Sequence, residues 1–210
     1  MVQALLVSGK LRAYFKPNGT LLGKIYPTSP INFRSSIMTQ YSKRMVIVHW
    51  LTLVLLVTAW FLGESAHDAR HDDAATIADY ILHASVGITV FILLLSRLYF
   101  RSKDGVPPAM GDTPLDKMAK GIHHLLYTLL VLLPLSGFMQ IVTSDVGKAL
   151  LAGDATMLPK KFDGVLAHEV HETLVTVLIV IVVIHILGAI KHQFITKDGL
   201  MDRMSLRRKD

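Results

Sequence analysis

The 210-residue chain contains no cysteine. That excludes a disulfide framework, a thiolate zinc site, a cysteine-ligated iron–sulfur cluster and the C-x-x-C-H attachment of a c-type haem. Charge is scarce as well. Asp, Glu, Lys and Arg together make up 18% of the residues, against about 25% in an ordinary soluble domain. Hydrophobic residues make up 51%, and this balance points to a membrane protein before any motif is read. Ten histidines remain in this apolar setting. With thiolates gone, metal or cofactor chemistry has to run through histidine, carboxylate or methionine.

A membrane-crossing helix needs roughly 20 predominantly apolar residues. Four windows qualify: residues 45–63, 80–100, 121–142 and 168–190. With no water in the bilayer core, each must satisfy its own backbone and so be helical. The fold class predicted is therefore all-α, a four-helix transmembrane bundle, over residues 38–210.

The flanking charge orients the bundle. Residues 1–44 hold seven Lys and Arg and no acid, whereas residues 64–79 hold five acids and only Arg70 as a base. Residues 97–120 carry five bases and three acids, residues 143–167 three of each, and the tail from Lys191 six bases and three acids. Lys and Arg near span ends mark the cytoplasmic side. Both termini and the middle loop are then cytoplasmic, with two loops outside. Residues 1–37 stand apart, with five bases, no acid and no apolar run long enough for a signal-peptide core. They read as an unstructured leader, as an organelle transit peptide, or as translated sequence ahead of a true start at Met38. Without that leader's five charges the net +6 falls to +1, so the basic balance is no argument for nucleic-acid binding.

Ionisable side chains at membrane depth are costly and are functional candidates by default. His49 lies near the inner start of span one, and His83 near the outer start of span two. His171 and His185 lie fourteen residues apart on span four, roughly 21 Å along a helix and on nearly the same face. His83 can therefore meet His171 in an outer layer, and His49 can meet His185 in an inner one. Two facing histidine pairs in a bundle are what two bis-histidine haems require. Gly87, one turn after His83, and Gly188, three residues after His185, offer room for a porphyrin or serve ordinary close packing. The alternative for a histidine cluster is zinc, at His168-x-x-His171 with Glu169 or Glu172 as base. That would leave the other buried histidines without a role.

The residues from about Met38 onward resemble the bacterial cytochrome b561 family of short diheme membrane proteins. The resemblance is carried by Tyr41-Ser42 with His49-Trp50, and by His83 with Gly87. His123, Tyr127, Pro134 and Gly137 in span three also match. So do His171-Glu172-Thr173, His185, His192, Lys197-Asp198 and Arg203-Met204. It implies that His49, His83, His171 and His185 bind the iron of two b-type haems. It also implies superoxide oxidation at the outer face of the bacterial inner membrane, with ubiquinone as acceptor and His192 at the quinone site. His192 read by itself is equally an interfacial histidine of the basic tail. His123 and His124 fall at the inner level as packing, quinone-proximal or surface groups. His67 and His71 read as surface residues or an adventitious metal pair.

One feature departs from that family reading. Superoxide is an anion and is steered by positive potential, yet the first outer loop carries Glu64, Asp68, Asp72, Asp73 and Asp79. Lys148, Lys160 and Lys161 of the second outer loop offer another entry. Two alternatives to an oxidoreductase follow: a non-enzymatic electron-transfer subunit docking a soluble redox partner, and a haem-binding or sensing membrane protein.

Overall fold

The computed structural model describes residues 4–7, 11–15, 21–24, 40–72, 74–109 and 111–207, with side chains from Gln40 onward. The chain divides into two compact units, Met1–Ile37 and Met38–Asp210. In the first, expected to be an unstructured leader or to precede the true start, the described residues form three short strands. β1 (Ala4–Val7), β2 (Leu11–Phe15) and β3 (Leu21–Lys24) pair antiparallel in the order β1-β2-β3. Met38 and Asp73 lie outside the described residues.

The described part of the second unit is helical: α1 (Lys43–His71), α2 (Ile77–Asp104), α3 (Pro114–Thr143), the short α4 (Asp145–Ala152) and α5 (Leu166–Ile190). A π-helical turn, Lys191–Thr196, prolongs α5. Four helices are long and apolar enough to cross a membrane. Each outruns the apolar window that announces it, because polar residues continue the helix at its ends. α1, for example, carries on past Gly63 through Glu64 to His71.

Side-chain caps set the helix starts. Thr76 with Asp79, and Thr113 with Asp116, form reciprocal capping boxes, and Pro114 opens α3. Such a cap contributes about 1 kcal/mol by satisfying amides that have no partner inside the helix. Ser42 caps α1 by accepting from the Met45 N–H.

Along the spans, large apolar side chains such as Phe61, Phe138 and Leu187 are exposed. Lipid tails are as apolar as these side chains, so a membrane helix loses nothing by presenting them outward. α1 packs along α2, α3 along α5, and α2 along α3.

We call the two ends of this unit the basic end (Lys43, Arg44, Arg101, Lys103, Lys191) and the acidic end (Glu64, Asp68, Asp72, Asp79). The basic end is tied together by the tail. The Tyr41 N–H donates to the Arg203 carbonyl at 3.1 Å, and the Trp50 indole N–H to the Met204 carbonyl at 3.1 Å. Arg203 donates to the Pro108 carbonyl at 2.6 Å, and Arg44 pairs with Asp104.

Candidate functional site

The two expected histidine pairs form. The ring centres of His83 on α2 and His171 on α5 are 6.2 Å apart. Those of His49 on α1 and His185 on α5 are 6.3 Å apart. Two imidazoles bound to one metal, about 2.0 Å from nitrogen to metal and about 1 Å from nitrogen to ring centre, have ring centres about 6 Å apart. Both pairs have a separation at which two imidazoles could share one metal ion. A Cβ added at Gly87 or at Gly188 would meet nothing within 4 Å, so there is open space beside both glycines.

At the acidic end the protonation of the pair is set by its hydrogen bonds. His83 Nδ1 lies 2.9 Å from the Ala59 carbonyl, and His171 Nδ1 lies 3.1 Å from the Leu133 carbonyl and 2.9 Å from Ser136 Oγ. A carbonyl only accepts, so Nδ1 carries the proton in both rings and Nε2 presents its lone pair. Metal-ligating histidines are oriented in this way, and the bond at the far nitrogen raises the basicity of the ligand. Ser136 Oγ donates its own proton to the Leu133 carbonyl at 2.8 Å, which leaves it free to accept from His171.

Both carbonyls already belong to helices, and each histidine reaches its carbonyl past a glycine. Gly63 lies four residues after Ala59, and a Cβ there would sit 3.2 Å from His83 Cε1. Gly137 lies four residues after Leu133, and a Cβ there would sit 3.3 Å from His171 Cε1. The residue at i+4 flanks the carbonyl of residue i on a helix, so glycine opens the approach for a second donor. The sequence marks Gly137 only as part of the family resemblance and Gly63 not at all. The signal that would find them is a glycine four residues along a helix from the level of a buried histidine.

Gly63→Ala and Gly137→Ala are expected to weaken haem binding at this layer about tenfold, the scale of a second-shell loss. Alanine is the better helix former by about 1 kcal/mol, so an effect on the helix alone would stabilise the protein. Haem retention during dilution or competition with apo-myoglobin separates the two outcomes.

The basic-end pair is built differently. Among the described residues neither His49 nor His185 has a hydrogen bond to its ring. His123 comes edge-on to His185 at 5.1 Å between ring centres and bonds its own helix at the Ala119 carbonyl. His124 bonds the Lys120 carbonyl and stays exposed. Arg97 donates to Tyr127 Oη at 3.0 Å and acts electrostatically on both His49 and His185. Both rings are exposed, and adjacency in the sequence does not tell which of the two lies against His185.

His168 turns away from His171. Its ring stacks on Phe162 with centres 4.2 Å apart, and its Nε2 lies 3.1 Å from Glu172 Oε1. The zinc alternative thereby loses its helical pair. His67 accepts from Arg70 at 3.0 Å and lies 4.6 Å from His71, ring centre to ring centre.

His192 sits in the π-helical turn with Nδ1 2.5 Å from Asp198 Oδ2. Lys197 makes this possible by taking a left-handed conformation, φ 53°, which folds Asp198 back onto the turn. Asp198 Oδ1 accepts from the Leu200 N–H at 3.1 Å. Burial pushes the Asp198 carboxyl up, but the bonds from His192 and Leu200 together outweigh it and hold the group below the ordinary value of 3.8. A depressed carboxylate stabilises the fold above its unfolded pKa, and that contribution disappears as pH falls through its folded one. Protection of the Leu200 amide is therefore expected to be constant from pH 8 to 5 and to decline only below 3.8. In Asp198→Asn it should be lower at every pH, by about fivefold for a hydrogen bond of about 1 kcal/mol. Hydrogen exchange reads both.

The chain matches the family model described as prokaryotic cytochrome b561 over residues 40–205. It is 31% identical to cytochrome b562 of Cereibacter sphaeroides over 175 residues, covering 80% of this chain and 98% of that one. It is 27% identical to cytochrome b561 homolog 1 of Escherichia coli, covering 82% and 100%. It is 25% identical to the probable superoxide oxidase CybB of Yersinia pestis, covering 79% and 95%. No solved structure matches it. Four membrane-length helices, two facing pairs of span histidines and a match over most of the chain agree: the chain belongs to the prokaryotic cytochrome b561 family, membrane electron-transfer proteins with b-type haem.

Proposed function

We propose that the chain is a diheme b-type cytochrome of the bacterial inner membrane that passes electrons from an outside donor, superoxide, to ubiquinone. The observation that carries this reading is the doubling of the histidine pair. His83–His171 and His49–His185 have nearly equal ring separations, 6.2 and 6.3 Å, at opposite ends of α5. With the basic end cytoplasmic, as the distribution of Lys and Arg implies, the first pair faces outward and the second inward. A bound haem supplies a one-electron carrier at each layer. The protein contributes the ligands, the apolar surround and the spacing between layers, roughly 21 Å along α5.

At the inward side two electrons and two protons convert ubiquinone to ubiquinol, while two superoxide anions are oxidised to dioxygen outside. His192 is the group for the proton side of this step. Its Nδ1 is held by Asp198, which leaves Nε2 to hydrogen-bond a quinone carbonyl and, when the ring carries both protons, to protonate it. The name of the Yersinia pestis relative supports superoxide as donor. The test uses purified protein in detergent or liposomes without any partner protein. Superoxide consumption coupled to ubiquinol formation is expected. Intact haem spectra with no quinone reduction from superoxide would refute the reading.

A second reading, a non-enzymatic subunit docking a soluble redox partner, draws on the acidic end, where Glu64, Asp68 and Asp72 are exposed. Such a surface suits a basic protein better than an anion. Electron entry that needs a basic partner and slows steeply with salt would favour this reading over the first.

A further inference from the structure

Arg70, in the last turn of α1, is the lone base among residues 64–79 and is half-buried. Its guanidinium carbon lies 4.7 Å from the centre of the Phe162 ring. His168 stacks on the same ring, with centres 4.2 Å apart. Arg70 Nη2 donates to His67 Nδ1 at 3.0 Å, and both Arg70 and His67 act electrostatically on His168. Arg70 Nε is buried and has no hydrogen-bond partner, and the same is true of Tyr80 Oη. These are the two buried side-chain polar atoms without partners among the described residues. The described acids of that end, Glu64, Asp68, Asp72 and Asp79, form no ion pair with Arg70, and Glu172 pairs with His168.

The placement of these groups is as informative as their lack of partners. Tyr80 lies three residues before His83, and His168 three residues before His171. Both therefore stand about one helical turn beyond the His83–His171 pair, toward the acidic end. A buried donor with no partner is costly, and Arg70 Nε is one although the rest of the half-buried guanidinium is held by His67 and Phe162. Arg presents a rigid, planar set of donors suited to a carboxylate, and a phenol adds one more.

We infer that Arg70 and Tyr80 form a carboxylate-binding site one turn beyond the His83–His171 pair. The inference rests on the diheme reading above. The carboxylate comes either from the prosthetic group bound at that pair, whose edge carries propionates, or from a small free carboxylate entering from the acidic end. In either case a cation and a hydroxyl neutralise negative charge beside the iron ligands, which favours the reduced state of the haem held there.

The experiment is a redox titration of each haem in the purified full-length protein, wild type, Arg70→Gln, Arg70→Lys and Tyr80→Phe, with haem per chain measured in parallel. Each protein is titrated with and without acetate. Arg70→Gln is expected to shift the reduction equilibrium of the His83–His171 haem about tenfold toward the oxidised form, which is about 59 mV for a one-electron couple, and to leave the other haem unmoved. Tyr80→Phe shifts the same haem in the same direction by less. It removes one hydroxyl at constant shape, so it reads the site even if Arg70→Gln fails to accumulate. Arg70→Lys keeps the charge, loses the fork and falls between. A shift present without acetate assigns the carboxylate to the prosthetic group. A difference from wild type that appears only with acetate assigns it to a free ligand. Variants identical to wild type in potentials, haem content and acetate response overturn the site and leave the diheme reading standing. A wild-type protein without a haem at this pair overturns the diheme reading, and the site with it.

Discussion

His171→Ala is expected to lose one of the two haems and keep the other, and His83→Ala is expected to lose the same one. Each removes an axial imidazole from a pair whose ring centres are 6.2 Å apart. The remaining ring is left tethered to a helix carbonyl, Ala59 for His83 or Leu133 for His171. A single tethered imidazole does not replace bis-axial ligation, so the loss should be complete. His49→Ala and His185→Ala should lose the other haem.

Residues that act as a unit are strongly non-additive. The double variant within one pair should therefore be no worse than either single variant, whereas a double variant across the pairs should lose both haems. His123→Ala serves as the control. Its ring comes within 5.1 Å of His185, yet it bonds its own helix, so both haems should remain. If His171→Ala keeps both, the substitute ligand is His168 one turn away. Its ring would then have to leave Phe162 and Glu172. Haem per chain by pyridine haemochromogen decides among these outcomes.

The second large effect is expected at the inward end. His192→Phe should slow ubiquinone reduction about a hundredfold, the scale of a lost general acid, while superoxide still reduces the haems at the wild-type rate. Rapid mixing separates the two steps, because haem reduction is seen directly in the optical spectrum. His192→Gln keeps a hydrogen-bonding group but cannot supply a proton at neutral pH. It should therefore retain quinone affinity while losing rate. Asp198→Asn should lie between wild type and His192→Gln, since it loosens the ring that Asp198 holds at 2.5 Å without removing it. A His192→Phe protein that reduces quinone at the wild-type rate would remove His192 from the quinone site.

The parts of this molecule that were legible in the sequence are those written as periodicity. Four apolar windows gave the spans, since in lipid no other backbone arrangement than a helix fits them. Fourteen residues between His171 and His185 put two histidines on one face, and the span directions paired them with His83 and His49, which do lie beside them.

What was not legible depends on contacts between helices or on local backbone turns. Gly63 looks like any small span residue, and Gly137 marks the family match without a stated role, until a histidine from a neighbouring helix is seen crossing over each to a carbonyl. Ser136 becomes a ligand support only because α3 lies against α5 at that height. The partnership of His192 with Asp198 spans six residues, which is no helical spacing, and needs the π-helical turn and the left-handed Lys197. Arg70 counted as one base among five acids and gave no sign that it lies over Phe162. The three strands within Met1–Ile37 were unexpected too, since that segment has no sustained alternation of apolar and polar residues to announce them.

The most direct test of the central claim, two histidine pairs holding two haems, is the haem stoichiometry of the purified wild-type protein. It is read together with reduced-minus-oxidised optical and electron paramagnetic resonance spectra. Two haems per chain, both low-spin with two nitrogen ligands, are expected from ring separations of 6.2 and 6.3 Å. One haem per chain, or a high-spin five-coordinate signal from either layer, would contradict the account.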